Sequence, residues 1–246
     1  MKPIRAVTFD FWETLVKDST ENLRAQRDLR IQALRRALDL AGAPCAEAGV
    51  AEAHDRSAAV LRERFWSRHR DPSYAEQVRI VLDCAAPGAT ERLPQPFFEE
   101  LVEAYISPVL RYPPALTAGA AETVRALAAR GVRVGIISNT GRTPGVILRR
   151  FLESHDLLRH FSVISYSDEV GYRKPHAEIF LRTLRLVDAA PAEAVHVGDN
   201  PLDDVTGAQG VGMRGVHYAA DGRVPAAHAD LHVTDLRVLL ASLERL

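Results

Sequence analysis

Three short apolar runs, each ending on a polar side chain and each separated from the next by far more chain than a hairpin needs, constrain this sequence more than any other feature. Ile4 to Phe9 runs into Asp10, Val132 to Ile137 into Ser138-Asn139, and Ala194 to Val197 into Gly198-Asp199. Runs this short, rich in β-branched residues and without polar alternation, read as strands buried on both faces. Helical stretches lie between them: Ala121 to Arg130, stopped by Gly131; a helix from about Pro144; and one opened by Pro175 that carries Ile179, Phe180 and Leu184. Phe161 to Ser165 reads as a further strand, and Val216 and Leu231 to Val233 as two edge strands. This alternation calls for an α/β fold, a Rossmann-like doubly wound parallel sheet with helices on both faces. Ligands gather beyond the carboxyl ends of such strands, so Asp10, Ser138 and Asp199 are expected to converge.

Between the first strand and the rest, residues 18 to 112 change character. Leu23, Ile31, Leu34 and Leu38 fall near helical spacing, with Arg27 interrupting the stripe and Gly42 as a stop. Ala51, Ala58, Leu61 and Phe65 suggest a second helix. Ser73 with Glu76 suggests a capping box for a third, through Val78, Val81 and Leu82, and Phe97, Phe98, Leu101, Val102 and Tyr105 mark a fourth. The expected organisation is a core of residues 1–17 and 113–246 with a helical insert at 18–112.

Composition narrows the partners. With 31 basic and 32 acidic residues the net charge is −1, which leaves no electrostatic footprint for nucleic acid or an anionic membrane. No apolar stretch is long enough for a signal peptide or a membrane span. Cys45 and Cys84 lack companions at metal-ligand or redox spacing and suit a reducing cytoplasm. A cytoplasmic protein with a small-molecule substrate is the expectation, as monomer or homodimer. Among the 31 basic residues only Lys2, Lys17 and Lys174 are lysines, so Lys174, deep in the chain, points to a place that needs a compact amine.

Each strand-end residue offers a definite chemistry. An aspartate such as Asp10 is a nucleophile that needs no deprotonation near neutral pH, and a strand end holds it rigidly for in-line attack. Ser138 brings a hydroxyl and, with Asn139, backbone N–H groups suited to a phosphoryl oxygen. The Lys174 ammonium offsets developing negative charge and keeps Asp10 ionised. Asp199 and Asp204 are hard oxygen ligands of the kind that hold Mg2+. Singly, each of these reads as a turn, a cap or a solvated side chain; only the set is specific. His176 reads as exposed at a helix start, with a contact to substrate as the alternative, Arg142 as a surface arginine, with a contact to an anionic ligand as the alternative, and Trp66 as core of the insert or a contact over the ligand.

Thr8-Phe9-Asp10-Phe11-Trp12-Glu13-Thr14-Leu15, Gly135-Ile136-Ile137-Ser138-Asn139, Arg173-Lys174-Pro175 and Val197-Gly198-Asp199-Asn200-Pro201-Leu202-Asp203-Asp204 together resemble the four motifs of the haloacid dehalogenase-like superfamily. The resemblance spans the core segments, and the insert is similar to the family's helical cap in position and helical character. It implies a hydrolase with Asp10 as nucleophile and Ser138 and Lys174 as catalytic partners. The substrate is then held by Ser138, Asn139 and Lys174. It further implies Mg2+ bound by Asp10, the Trp12 main-chain carbonyl and Asp199, with Asp204 supporting the site and Asp203 solvent-facing or capping. The activity so implied is hydrolysis of a small phosphomonoester through an aspartyl-phosphate.

Phosphatases of this superfamily usually carry a second aspartate two residues after the nucleophile, as acid and base; here Trp12 stands there, and an indole cannot exchange protons in that role. An aromatic residue at this position also occurs in the 2-haloacid dehalogenase branch, which needs no metal but generally lacks the acid matching Asp199. Dehalogenation is therefore the rival reading. A protein that binds phosphoryl ligands but turns them over weakly is the reading from another class. Glu13 is a further candidate proton donor.

Overall fold

The computed structural model describes residues 3–220 and 222–244, so Lys2 lies outside the described residues. In chain order the strands are β1 (Ala6–Phe9), β2 (Val16–Lys17), β3 (Ala115–Leu116), β4 (Arg133–Ser138), β5 (Val163–Tyr166), β6 (Ala194–Gly198), β7 (Arg214–Tyr218) and β8 (Leu231–Val233). Six of them form one sheet in the order β5-β4-β1-β6-β7-β8, with every neighbouring pair parallel. Succession runs outward from β1 through β4 to β5, then returns to the other side of β1 with β6. The strand order therefore reverses at β1, where open α/β sheets hold their ligands.

Alternation along each strand splits its side chains between two cores. Val7, Phe9, Val134, Ile136, Val195 and Val197 face one side with Val124, Phe151 and Tyr166. Ala6, Ile137 and Ala194 face the other with Ile179, Phe180 and Leu184. Burial on both faces is why these strands read as unbroken apolar runs, and each such large side chain contributes roughly 1.5–3 kcal/mol. Val216 does not lie at an edge, as expected from sequence: β7 pairs with β6 on one side and β8 on the other, leaving β8 and β5 as the edges.

Between β2 and β3 the chain forms α1 (Thr20–Leu40), α2 (Glu47–Arg64), α3 (Tyr74–Ala85), α4 (Ala89–Arg92), α5 (Gln95–Ile106) and α6 (Pro108–Arg111). The four long helices match the four read from the sequence, while the single turns α4 and α6 are too short to show periodicity. Ile31, Leu34, Leu38, Val78, Val81, Leu82, Phe98 and Leu101 build a core of their own. Leu23, expected on the buried stripe, is 52% exposed, and Phe97 is exposed beside buried Phe98. The buried positions preceding Ile31 on α1 are polar, Gln26 and Arg30. Gln26 explains its own burial, donating to Asp18 at 2.8 Å and to the Tyr112 carbonyl at 2.9 Å, one at each crossing between insert and core. The same crossings are tied by the antiparallel pair β2–β3. Ser73 caps α3 by accepting the Glu76 N–H at 3.3 Å.

Back in the core, α7 (Ala120–Ala129), α8 (Gly145–Ser154), α9 (Ser167–Val170) and α10 (Ala177–Leu186) cover the sheet. Insert and core meet at buried Asp71, whose carboxylate accepts from Trp66 Nε1 (3.0 Å), Ser167 Oγ (2.6 Å) and Arg173 (2.7 Å). Arg173 N–H donates to the His69 carbonyl (2.9 Å) and Asp71 N–H to the Gly171 carbonyl (3.3 Å), so the insert grips the segment that leads into Lys174. Trp66 thus serves this seam, with the Arg173 guanidinium 4.8 Å from its ring. No helix among the described residues is long and apolar enough to cross a membrane.

Candidate active site

Asp10, Lys174, Asp199 and Asp204 line one cavity. Asp10 follows β1, with its N–H fixed on the Val197 carbonyl at 2.8 Å, and is 7% exposed. Ser138 ends β4, and Asp199 follows β6. Lys174, 3% exposed, arrives from the segment before α10; its Nζ donates to Asp10 Oδ1 at 2.7 Å and Asp204 Oδ1 at 2.5 Å. A single ammonium therefore bridges two carboxylates from different strand ends, which is the compact amine that Arg could not replace.

Asp204 reaches this point through a wide turn over Pro201–Thr206. The Asn200 carbonyl accepts from both Asp204 N–H (2.9 Å) and Val205 N–H (3.4 Å), and Asp204 Oδ2 accepts the Asn200 N–H (2.9 Å). The carboxylate lies against Gly198, where any Cβ would overlap it. Asn139 sets Lys174 in place: its Oδ1 accepts the Lys174 N–H (2.7 Å) and its Nδ2 donates to the Lys174 carbonyl (3.1 Å). The Asn139 side chain is thus engaged with the Lys174 backbone, while the role expected of Asn139 toward substrate is through its backbone N–H.

These contacts govern charge. Burial pushes the Asp10 carboxyl up, Lys174 opposes this and Asp204 adds to it. At Asp204 burial works the same way, but Lys174 and the His196 hydrogen bond outweigh it and hold the acid below the usual carboxylate range. Lys174 pays desolvation, yet its two carboxylates raise it above an ordinary lysine. Asp199 is pushed up to about 6 by burial and by Asp10 and Asp204, with Arg223 opposing.

Three participants were not evident from sequence. His196, fully buried on β6, meets Asp204 Oδ1 with Nε2 (3.1 Å) and Thr8 Oγ1 with Nδ1 (2.9 Å). Burial holds its pKa down, so the ring is neutral, with Nε2–H facing the ionised Asp204. A histidine inside the run Ala194-Val195-His196-Val197 is the signal that was available. Arg223, from the β7–β8 connection, pairs with Asp199 and with Glu13. Glu13 is thereby turned to a guanidinium, and among the described residues no hydrogen bond joins it to Asp10. Asp203, expected outward, is half-buried, accepts from Asn139 Nδ2 at 3.3 Å and lines the site cavity, because the wide turn brings it round beside Asp204. His176 does sit at a helix start, its Nδ1 accepting the Glu178 N–H at 3.1 Å. Arg142 is not a surface residue; it reaches into the insert.

The cavity has a volume of about 130 Å3 and is lined by Asp10, Trp12, Glu13, Asn139, Lys174, Asp199, Asn200, Asp203 and Asp204. Asp10, Asp199 and Asp204 each offer an oxygen, all within 4.8 Å of one another, which suits a hard divalent cation. The Ser138 hydroxyl is buried and has no protein partner among the described residues, and Ser138 is not among the residues that line the cavity. The Trp12 indole packs edge-on to Phe11 (5.2 Å) and touches the cores of both sheet and insert.

A parallel sheet with a polar cavity at its switch point defines an α/β enzyme of the open, doubly wound kind. Residues 4–212 match the haloacid dehalogenase-like hydrolase family, and the chain belongs to it. It is 36% identical over 192 residues to a phosphoserine phosphatase of Thermus thermophilus, covering 71% of each chain. It is 30% identical over 219 residues to a phosphoglycolate phosphatase of Shigella boydii, covering 87% of this chain and 80% of that one. Among solved structures it resembles a 2-haloacid dehalogenase from Pseudomonas syringae (26% identity, TM-score 0.72, 98% and 99% covered). A phosphatase of the same family from Thermococcus onnurineus is also similar (26% identity, TM-score 0.60, 97% of each chain covered).

Proposed function

We propose that this hydrolase is a Mg2+-dependent phosphatase of a small phosphomonoester, with Asp10 as nucleophile. The observation that carries the reading is the charge of the cavity. Five acids line it, Asp10, Glu13, Asp199, Asp203 and Asp204, against one lining cation, Lys174, with Arg223 pairing Asp199 and Glu13 from outside the lining, which still leaves an excess of acids. Such a pocket repels a phosphate dianion unless a further cation enters, and Asp10, Asp199 and Asp204 are disposed to hold one. The Trp12 carbonyl would be a fourth ligand, as the family resemblance implies. When bound, Mg2+ supplies charge neutralisation at the phosphoryl oxygens.

Asp10, whose anionic form Lys174 favours against burial, attacks phosphorus in line and forms an aspartyl-phosphate as the alcohol leaves; water then cleaves the acyl phosphate and releases inorganic phosphate. Ser138 Oγ donates to a phosphoryl oxygen, and Lys174 neutralises charge that develops there. Asn139 acts mainly by holding the Lys174 backbone. No side-chain acid faces the leaving oxygen from position 12, so the alcohol draws its proton from solvent or from its own structure. Esters with poor leaving groups are then turned over slowly. Residues 18–112 serve as a cap over the core of 1–17 and 113–246, excluding bulk water during the reaction. The setting proposed is cytoplasmic, as monomer or homodimer.

Trp12 and the likeness to a 2-haloacid dehalogenase favour the second reading, attack of Asp10 on carbon with loss of halide. Purified protein assayed with Mg2+ and with EDTA, against phosphomonoesters and 2-haloacids, separates the two: phosphate release that EDTA abolishes is expected. Metal-independent halide release without phosphate release would overturn the phosphatase reading. Absence of both would favour weak ligand binding.

A further inference from the structure

Each of the three acids disposed to hold a divalent cation, Asp10, Asp199 and Asp204, has a cationic side chain as partner, and the partners differ in kind. Lys174 serves Asp10 and Asp204 from a buried position. Among the described residues Asp199 pairs with Arg223 alone, through Nη1, while Nη2 of the same guanidinium holds Glu13 Oε2 at 3.2 Å. Burial and the neighbouring Asp10 and Asp204 all penalise the Asp199 charge, and Arg223 favours it. Asp199 also has the most exposed side chain of the three, 19% against 10% for Asp10 and 1% for Asp204.

The segment that carries Arg223 is fixed at both ends and loosely held at its tip. On the β7 side, Ala219 N–H donates to the Val233 carbonyl at 2.9 Å. On the β8 side, Ala226 N–H donates to Nδ1 of buried His217 at 3.0 Å, and His217 Nε2 donates to the Asp199 carbonyl at 3.0 Å. Gln209 further holds the His228 carbonyl (2.8 Å) and Asp230 (2.9 Å). Between these anchors Gly222 takes a left-handed φ of 74°, Val224 is exposed, and Arg223 N–H closes a turn on the Ala220 carbonyl at 3.1 Å. Among the described residues, 222–225 make no hydrogen bonds besides that one and those of the Arg223 side chain. The guanidinium is thus the one polar tie between this tip and the site.

We propose that Arg223 and the divalent cation are alternative partners of the Asp199 carboxylate, so that Arg223 sets how much Mg2+ the site requires and metal binding frees the 222–225 tip. The proposal rests on the metal reading of the site. A guanidinium on a ligand carboxylate opposes a metal in two ways: it claims a lone-pair direction, and its charge repels the ion through partly buried protein. Mg2+ demands near-ideal octahedral geometry, so a carboxylate turned toward Arg223 must give up that hold to present its oxygen. Lys174 is poorly suited to yield, being buried and shared by two acids. Arg223 comes from the exposed side, and Glu13, which lines the cavity, keeps a seat for it when Asp199 turns away. By linkage, whatever factor Arg223 costs the metal, the metal costs the contact between Arg223 and Asp199.

The test titrates the whole protein with Mg2+ at constant ionic strength, by calorimetry, in wild type, Arg223→Gln and Arg223→Lys. Hydrogen exchange of residues 219–226 is followed with and without Mg2+. Arg223→Gln should bind Mg2+ about fivefold or more tightly than wild type, the lower end of ordinary coupling between two sites, and Arg223→Lys, which keeps the charge, should fall between them. In wild type Mg2+ should speed exchange of this segment about threefold or more; in Arg223→Gln exchange should already be fast and insensitive to Mg2+. Melting confirms that the variants are folded, and should Arg223→Gln not fold, the wild-type exchange response decides. A folded Arg223→Gln that binds Mg2+ no more tightly than wild type, or wild-type exchange that Mg2+ slows or leaves unchanged, would overturn the competition. If wild type still binds Mg2+ in that case, the metal reading stands and the competition fails alone. If neither wild type nor Arg223→Gln binds Mg2+ at tens of millimolar, the metal reading fails and the competition with it.

Discussion

Replacing Lys174 with methionine keeps most of the side-chain volume and removes the one ammonium that joins Asp10 and Asp204. In the native arrangement both carboxylates are buried and both contact Nζ, at 2.7 and 2.5 Å. Breaking a buried pair by deleting one partner costs about 3–5 kcal/mol, because the surviving charge is left unsolvated. At about 2–4 °C per kcal/mol for a chain of this size, melting at pH 7.5 should fall by roughly 6–20 °C. The deficit must depend on pH. In wild type the folded pKa of Asp204 is depressed, so its stabilising contribution is present above the unfolded value near 3.9 and is lost as pH falls through the folded one. Without Lys174 the folded pKa of Asp204 rises above the unfolded value and that of Asp10, already raised by burial, climbs further, so the variant loses stability as pH climbs. The gap between the two melting curves should therefore narrow as pH falls from 8 toward 4.5, without closing. Calorimetry across pH 4.5–8 reads this directly, and millimolar Mg2+ should restore part of the stability at pH 7.5 without restoring turnover. A uniform offset across the pH range, or a shift below 2 °C at pH 7.5, would show that the two carboxylates do not depend on this ammonium.

Asp10→Asn keeps shape and removes the nucleophile, so phosphate release should drop at least about 10³-fold while melting changes little; residual activity above a tenth of wild type would exclude Asp10 as nucleophile. Trp12→Asp supplies the missing acid and should raise phosphatase kcat by about tenfold or more, at some cost in stability from the lost aromatic packing. No rise in a folded variant would mean that protonation of the leaving group does not limit turnover. Gly198→Ala drives a methyl into the Asp204 carboxylate, so the Mg2+ concentration for half-maximal activity should rise at least fivefold and stability should fall by about 1–3 kcal/mol; unchanged values would deny that contact a role. Asp168 accepts the Gly145 N–H (3.2 Å), and burial pushes its pKa up to about 6. A raised folded pKa means stability that is full below about 3.9 and declines as pH rises through 6, so Asp168→Asn should melt higher than wild type at pH 8 and equally at pH 4. The opposite ordering would show that the ionised carboxylate is favoured there.

Fold and site were legible to different depths. Buried parallel strands announce themselves because both faces are apolar, and the residue that ends each one has nowhere to go but the switch point. Asp10, Ser138 and Asp199 could be placed by that logic, and Lys174 stood out against an otherwise Arg-written surface. Partners that approach from the side were not legible. Arg223 lies on a connection with no periodicity, 24 residues from the Asp199 it pairs with. Asp203 turns inward only because the Pro201–Thr206 turn is wider than an α-helical one, and a one-residue difference in winding is invisible in the residue types. Arg30 and Gln26 were hidden by the assumption that a helix buries its apolar residues; their burial follows from acceptors that belong to other segments, Tyr112 and Tyr105.

Much of this site therefore depends on placement by contacts that cross between loops. Asn139, from the β4 loop, holds the backbone of Lys174; Lys174 holds the carboxylates that follow β1 and β6; and Asp71, from the insert, holds Arg173 one residue before Lys174. A displacement of the insert acts on Lys174 through the Asp71–Arg173 pair, and on the Ser138 loop through Arg142. The insert and the charge balance at Asp10 are thus joined through two short connections, each bearing a guanidinium. Turnover should consequently respond to changes at Asp71 even though its carboxylate contacts neither Asp10 nor Lys174.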